Sequence, residues 1–475
     1  MMNHLKKAVV LFFMCLSGFH ALAQVDSHYW TNQYGSKGLL LNGAVIASPD
    51  GETSSYYNPG AIGMDDDLGF LFSFITPTYF DLNTENILGD GNSIRDRSIS
   101  FAPGFFGLRL RPFKNKKITI AISNFERYDS NIRLEDRVVS KIAGSPDLLY
   151  RVDLDLYRKV SEDWRGIGLA YNLNENIGIG LSQFSVWHSQ RFLLDITSEI
   201  NSINPLGSLR QFNRQEVNYK FNLNSAFVTK LGFSYKSEKV CFGMTYTSPL
   251  YGAIDKRGSY SIEDQVIDTV NDISSSSSNR NNTTSITYRS PHSFGMGLDY
   301  HTAGTSISIS SEYFLGINKY TILDENDDSF DGMTGMPNET TLLVNNENKS
   351  VLNFAVGIQR EITEKTSLVF GFRSDLNQQS TLGINEIPGY RGVVGDVYHF
   401  SGGSMINFKN NEFSCGFDFG FGKRSGNKQI VDIAAVNPDT FPDLNGKQNV
   451  SSRFNSFMIF ITYDFIFKRF KKDEQ

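Results

Sequence analysis

Four cationic side chains are the residues whose type and position suggest a binding chemistry. They lie on the polar side of alternating, strand-like stretches and are Lys220, Lys230, Arg289 and Arg373. A charged side chain on the lipid face of a membrane strand costs ~2–4 kcal/mol at the bilayer midplane. We therefore expect these cations to face a barrel interior or its rims. There they would either bind the carboxylate of a ligand or pair with interior acids such as Asp299 and Asp418.

No local sequence pattern indicates an enzyme. The chain lacks the Gly-x-Ser-x-Gly, His-Glu-x-x-His and Cys-x-x-Cys motifs, and its histidines are scattered. The acidic run 324–332 is similar to a calcium loop, but Ser329 stands where an EF-hand requires glycine. We therefore predict no catalytic site, no metal and no cofactor. A hydrolytic site assembled from several strands is the alternative that a single sequence leaves open.

The first 23 residues have the order of a secretory signal. Lys6 and Lys7 precede an apolar stretch at 8–16, and Ala21-Leu22-Ala23 fits a cleavage site. The stretch is shorter than the ~20 residues of a membrane-spanning helix. The formal net charge is -6 and no basic block occurs, so nucleic acid is not predicted as a partner. Beyond the signal, Cys241 and Cys415 remain, and the sequence leaves open whether they pair.

From residue 68 onward, apolar and polar residues alternate with a period of two. In the stretch 217–235 the apolar side chains fall on odd positions and the polar ones on even positions, as in a strand with one wet face. No later apolar run is long enough for a helical span, whereas Phe (38) and Tyr (21) are abundant. Short turns alternate with long loops, and we count about 14 strands. The pattern predicts an all-β, transmembrane antiparallel β-barrel over 68–475, monomeric and in the bacterial outer membrane. A soluble secreted β-protein is the alternative.

Two polar stretches interrupt this alternation. Residues 128–149 read as a connection between the third and fourth strands, and 263–282, which contains the serine run 274–278, reads as a loop.

The stretch 35–63 is rich in small residues and ends in the turn Asn58-Pro59-Gly60. With the signal before it and the strand pattern after it, this stretch resembles the N-terminal hatch of the FadL-type outer-membrane channels, the long-chain fatty-acid and toluene transporter family. The resemblance implies a hatch, or plug, at 24–67 inside the barrel, anchored through Asn58, Pro59 and Gly60.

The resemblance also implies a function. It is passive transport of long-chain fatty acids or other hydrophobic compounds, by rearrangement of the hatch and lateral exit through the barrel wall. The implied partners are the hydrophobic small molecule, outer-membrane lipid and the barrel-assembly machinery. The alternative is a barrel that docks a protein partner in secretion or surface attachment, for which long loops such as 423–452 are available.

A lateral opening is predicted between the second and third strands. The apolar parity changes at Pro103-Gly104 in the second strand and near Ser123-Asn124 in the third, where Phe125 takes the new parity. Proline removes a ladder donor and glycine weakens a strand, so two facing irregularities would part the ladder there. The alternative is that both strands simply leave the membrane at this height.

Overall fold

Fourteen antiparallel strands close into one barrel in the part of the chain that the computed structural model describes. The described residues are 27–49, 51–65, 68–73, 76–89, 91–102, 104–113, 117–204, 208–323, 344–379, 394–408, 411–433, 436–441, 446 and 448–468. Closure joins the first strand to the last, with Phe70 opposite Phe465 and Tyr79 opposite Phe457. The predicted all-β barrel of about 14 strands is confirmed.

Ten barrel strands are continuous and four are broken into two segments. They are β1 (Leu68–Ser73 and Thr76–Glu85), β2 (Ser93–Ala102 and Phe105–Leu110), β3 (Ile118–Ile142), β4 (Ser145–Asn172), β5 (Ile177–Ser202), β6 (Ser208–Lys236), β7 (Val240–Thr247 and Asp255–Asp268), β8 (Ile273–Thr284 and Ser293–Thr302), β9 (Thr305–Phe314), β10 (Val351–Thr363), β11 (Thr366–Asp375), β12 (Asp396–Phe408), β13 (Asn411–Lys428) and β14 (Gln448–Lys468). A hairpin of Ile317–Leu323 and Val344–Asn348 follows β9.

Helices are few and short. They are α1 (Gly35–Leu40), α2 (Ser54–Tyr57) and the 3-10 turns Gly51–Thr53, Pro59–Ala61 and Pro438–Thr440. Among the described helices, none has the length and apolar character needed to cross a membrane. Cys241 and Cys415 are both free thiols.

The outer face of the barrel carries an exposed apolar band. In β8, Phe294, Met296 and Leu298 are 46–56% exposed, whereas the next residue, Asp299, is only 2% exposed. The same alternation recurs around the barrel, with Ile309 in β9, Phe354 in β10 and Ile459 in β14 also exposed. Large apolar side chains that face outward on every side indicate a lipid-facing surface, because water would not favour such a surface.

Strands β3 to β8 continue beyond this band as a tall six-stranded wall. The predicted loops at 128–149 and 263–282 are wrong, because β3 runs on to Ile142 and the serine run belongs to β8, paired along Asp255–Asp268. The prediction failed because the outer face of this wall is exposed to water. Ladder hydrogen bonds and an apolar inner face stabilise its strands, so Ser and Asn are tolerated on the outer face. Leu154 and Phe192 belong to that inner face and are at most 3% exposed.

A β-bulge in β6 changes which residues face the interior. Val186 opposes Ala226 and His188 opposes Leu223, so β6 carries one extra residue, at Ser225, whose φ is 53°. On the N-terminal side of the bulge, odd positions of β6 face inward, and Tyr219 is fully buried. On its C-terminal side, odd positions face outward. The single parity predicted across 217–235 is therefore wrong, since a bulge shifts every later side chain to the opposite face.

Candidate functional site

The N-terminal segment, residues 27–65, lies inside the barrel and contacts strands on several sides. The hydroxyl of Tyr34 donates to the backbone oxygen of Glu126 in β3 at 2.6 Å. Ser36 Oγ lies 2.7 Å from Thr462 Oγ1 in β14. The backbone N–H of Ile46 donates to Ser310 Oγ in β9 at 3.0 Å. Because these strands lie on different sides of the lumen, the segment spans from one side of the barrel interior to another.

Asn58 is the centre of the predicted hatch motif and is fully buried. Its Nδ2 donates to the backbone oxygens of Ile46 at 2.9 Å and Phe233 at 3.0 Å. Its Oδ1 accepts from the backbone N–H of Gly60 at 3.0 Å, which caps the 3-10 turn that begins at Pro59. One side chain thus joins the turn to another part of the segment and to β6.

Glycines in the barrel wall let the N-terminal segment approach the strand backbones directly. A Cβ atom on Gly232 would lie 2.4 Å from Asn58 Oδ1, and one on Gly243 would lie 2.2 Å from the backbone oxygen of Ile46. Either distance is a steric overlap. Other strand glycines that a Cβ would bring within 3.0 Å of the segment are Gly107, Gly168, Gly178, Gly180, Gly297, Gly357, Gly371, Gly403 and Gly416. The wall and the segment therefore meet closely around most of the barrel.

Arg373, one of the four predicted cations, holds the N-terminal segment. Its guanidinium donates to Asn42 Oδ1 and, at 3.0 Å, to the backbone oxygen of Thr31. Asp418 accepts from Asn42 Nδ2 at 3.0 Å and lies 3.8 Å from the Arg373 guanidinium. His399 Nδ1 is 2.8 Å from the second oxygen of Asp418. Arg373 thus lies beside the interior acid Asp418. This agrees with the predicted alternative that the cation pairs with an acid of the barrel.

Lys230 lies in the lumen with 6% of its surface exposed. Its ammonium is 5.1 Å from the centre of the Tyr56 ring, which belongs to the N-terminal segment. Within the described ranges no carboxylate lies within ion-pair distance of Lys230. The nearby acid Glu312 accepts instead from Trp30 Nε1 at 2.8 Å and Ser293 Oγ at 2.6 Å.

The other two predicted cations lie elsewhere. Lys220 is exposed on the outer face of the wall because the Ser225 bulge reverses the parity above it, so its predicted lumenal position does not hold. Arg289 lies in the break of β8, exposed, with its guanidinium 5.1 Å from the centre of the Tyr320 ring. The structure therefore does not bring the four cations together.

A buried charged cluster that the sequence reasoning missed lies beside Tyr56. Glu162 accepts from Arg127 Nη1 at 3.3 Å and Trp164 Nε1 at 2.7 Å, and His188 Nδ1 lies 3.0 Å away. The Arg127 guanidinium also stacks on Trp164, 4.8 Å from the ring centre. A charge on the inward parity of β4 was the available signal, but only the strand register shows that Glu162 opposes His188.

The ladder between β2 and β3 ends at a pair of phenylalanines. The Phe105–Leu110 segment of β2 pairs with β3, and its last pair is Phe105 opposite Phe125. Above this pair, in the described residues, Ser93–Ala102 pairs with β1 and the rest of β3 pairs with β4. The backbone N–H of Arg133 in β3 donates to Asp96 Oδ2 in β2 at 3.2 Å, across the interrupted part of the ladder.

The residues predicted for this opening lie at or next to it. Gly104 is in the break of β2, while Pro103 lies outside the described residues. Ser123 opposes Gly107 and Asn124 opposes Phe106 within the intact ladder. The irregularity in β3 falls slightly later, between Glu126 and Tyr128, as a bulge at Arg127.

Aromatic side chains fill the lumen where the ladder ends. The Phe125 ring stacks on Phe105 at 5.3 Å and lies 4.9 Å from the rings of Tyr34 and Tyr56. Phe184 continues the cluster, 5.9 Å from Phe125. Side chains of the wall and of the N-terminal segment therefore form one apolar lining beside the opening.

Solved structures of two outer-membrane channels match nearly the whole chain. A Pseudomonas aeruginosa FadL homologue aligns at 11% identity over 93% of this chain and 100% of its own, with a TM-score of 0.58. The chain has the fold of the FadL-type channels. The Pseudomonas putida toluene transporter TodX aligns at 10% identity over 92% of this chain and 99% of its own, with a TM-score of 0.56. No protein-family model matches the sequence, and no curated relative matches it. The fold and the apolar band confirm the predicted outer-membrane β-barrel.

Proposed function

We propose that this FadL-like barrel is a passive channel through which hydrophobic compounds cross the outer membrane. The observation that carries the proposal is the parted β2–β3 ladder above Phe105 and Phe125, directly beside the aromatic lining of the lumen. The toluene transporter TodX, by its description, moves such a compound with the same fold. An apolar solute gains nothing from a polar pore, so a lateral exit into the bilayer suits it better.

The proposed transport route is set by the position of the N-terminal segment and by the interrupted ladder between β2 and β3. The N-terminal segment, as the proposed hatch 24–67, meets the wall glycines and blocks straight passage. The break that contains Pro103 and Gly104, opposite the bulged stretch after Ser123, Asn124 and Phe125, is the proposed exit. Small rearrangements of the hatch around the Asn58-Pro59-Gly60 anchor would let a compound reach it.

Lys230 is the cation we propose for an acidic solute. It is lumenal, it touches the segment through Tyr56, and no described acid pairs with it. A fatty-acid carboxylate would gain a charge-assisted hydrogen bond there, which contributes ~1.5–3 kcal/mol. A neutral hydrocarbon would gain nothing from the same group.

A crosslink across the opening tests the route. Gly104→Cys and Glu126→Cys, the positions next to the last ladder pair Phe105–Phe125, would be joined with a short, reducible thiol crosslinker in a background lacking Cys241 and Cys415. We expect uptake of labelled toluene into proteoliposomes to fall at least about tenfold, equivalent to ~1.4 kcal/mol, and to recover on reduction.

A matched pair within an intact ladder serves as the control. Ile309→Cys and Val356→Cys oppose each other on the lipid face of β9 and β10, and crosslinking them should leave uptake unchanged. Full uptake with a complete crosslink between positions 104 and 126 would remove the lateral exit. No uptake by the unmodified barrel, together with a stable protein partner that co-purifies without bound lipid, would favour the docking alternative.

A further inference from the structure

Three cations stand side by side on the outer face of the wall. Lys159 in β4 directly opposes Arg191 in β5, and Arg191 directly opposes Lys220 in β6. Their chain neighbours Phe192 and Tyr219 are fully buried toward the lumen, so the three cations point outward. The ends of this row are the uncharged residues Asn131 and Ser259.

This arrangement is unfavourable without an anion. Directly opposite side chains have Cβ atoms ~4.5–5.5 Å apart, and like charges in such pairs are destabilising. In the described part of the chain no carboxylate lies within ion-pair distance of Lys159, Arg191 or Lys220. Glu126 and Asp129 interact electrostatically with Lys159 from one side, and the Tyr157 ring lies 5.8 Å from the Arg191 guanidinium.

On the same face, a second charged row is neutralised by side chains of the protein's own chain. That row lies four residues further along each strand and consists of Glu135, Asp155, Asp195, Glu216 and Glu263. Arg214 contacts Asp195 at 2.8 Å and Glu216 at 2.7 Å, and Arg133 contacts Asp155 at 3.1 Å. Arginines beside the acidic row therefore neutralise part of its charge. Among the described residues, no carboxylate does the same for Arg191 and Lys220 in the cationic row.

The height of the cationic row limits which anion can reach it. The lipid-facing band of β4 ends at Ile167, which is 62% exposed, and next comes Arg165, whose guanidinium stacks 4.1 Å from the Trp187 ring. Lys159 is eight residues beyond Ile167. At ~3.3 Å per residue and a strand tilt of ~45°, that is about 19 Å above the end of the band. A phospholipid headgroup layer is only roughly 5–7 Å deep, so its phosphate would not reach this height.

We propose that Lys159, Arg191 and Lys220 form a binding site for the phosphorylated saccharide headgroup of lipopolysaccharide in the outer leaflet. Such a headgroup is large enough to reach above the phospholipid level, and its acyl chains would lie against Ile167 and Leu169 below. The site is independent of the transport route. It would fix the wall to the surrounding membrane on the side formed by β4 to β6.

The test uses the full barrel in detergent, freed of lipid, and measures binding of purified lipopolysaccharide by native mass spectrometry. The variant is Lys159→Gln, Arg191→Gln and Lys220→Gln together. We expect about a hundredfold loss of affinity, because each cation near an anionic surface contributes roughly a fivefold factor. The control removes three exposed cations at the opposite rim, Lys236→Gln, Lys239→Gln and Lys365→Gln, and should bind as the unmodified barrel does.

Two further arms separate the possible outcomes. Enzymatically dephosphorylated lipopolysaccharide should bind the unmodified barrel as weakly as it binds the triple variant, which tests the site even if the variant folds poorly. Inorganic phosphate at millimolar concentration should not displace lipopolysaccharide. Equal binding by the variant and the unmodified barrel, or displacement by phosphate alone, would overturn the assignment.

Discussion

The N-terminal segment packs closely against β6 and β7, whereas the backbone ladder between β2 and β3 is interrupted. At the first place, Gly232 and Gly243 let backbone meet backbone, and Asn58 completes three hydrogen bonds. At the second, the ladder stops at Phe105 and Phe125, and the hydrogen bond from Arg133 to Asp96 bridges the strands beyond it. Under the proposed function, the close contact at the first place would resist flow, and the missing backbone pairs at the second would allow passage.

We expect the largest effect from a substitution that displaces the N-terminal segment from the barrel wall at Gly232. Gly232→Val would place methyl groups where Asn58 now lies, and such overpacking costs ~1–3 kcal/mol at a site with no room to relax. We expect single-channel conductance in planar bilayers to rise in large steps. Leu231→Val, next to it on the lipid face, is the control and should stay closed. A silent Gly232→Val barrel with normal heat-modifiable mobility would show that the contact does not provide the seal.

Asn58→Ala should have the next largest effect. It removes three hydrogen bonds with a net worth of ~0.5–1.5 kcal/mol each and leaves two buried backbone oxygens without this donor. We expect higher permeability to small solutes, while the thermal unfolding of the barrel changes little because strand pairing holds the wall. The same should hold for a variant that also replaces Pro59. Failure of these variants to assemble would make the motif a folding element instead of a seal.

Lys230→Met should sharpen the comparison by separating two classes of solute. We expect uptake of a long-chain fatty acid to fall about tenfold, equivalent to ~1.4 kcal/mol, with toluene uptake unchanged. Lys220→Met is the matched control, since the same residue type faces outward there, and it should alter neither. Equal losses for both solutes would mean that Lys230 supports the lumen structurally and does not bind a carboxylate.

Phe125→Ala should have the smallest effect on transport. The ring is 2% exposed, and its removal costs ~3–5 kcal/mol of stability in a tightly packed core, which a closed barrel can bear. We expect a modest rise in uptake of bulky hydrocarbons relative to toluene, because the cavity widens the end of the ladder. Phe417→Ala, on the lipid face of β13, should leave this ratio as it is. An unchanged ratio for both variants would place the exit elsewhere.

The sequence predicted the barrel well where each strand has one lipid face. Alternation such as that of β8, from Phe294 to Tyr300, reports directly on lipid and lumen, and it led to the correct number of strands. The wall was missed because its outer face is wet, so serine and asparagine there look like loop residues. Alternation with a period of two identifies a membrane strand only when one face of that strand contacts lipid.

The site residues were harder to predict, for a different physical reason. Lys220 was placed in the lumen because one inserted residue, Ser225, reverses the parity without any mark in the alternation. The contact of Glu162 with His188 depends on register between strands, which a single strand does not specify. Asn58 could be singled out since Asn-Pro-Gly is a turn signal, but its reach to Ile46 and Phe233 could not.

The contacts of the N-terminal segment have a consequence for the order of assembly. Ser36 touches Thr462 in β14, and Leu40 accepts from Ser401 in β12, so docking cannot finish before the last strands are in place. Yet this segment precedes every barrel strand in the chain, so it is made before them. It must therefore wait, unsatisfied, while more than three hundred later residues arrive. The final step of maturation would then be internal docking of this segment after the wall has closed.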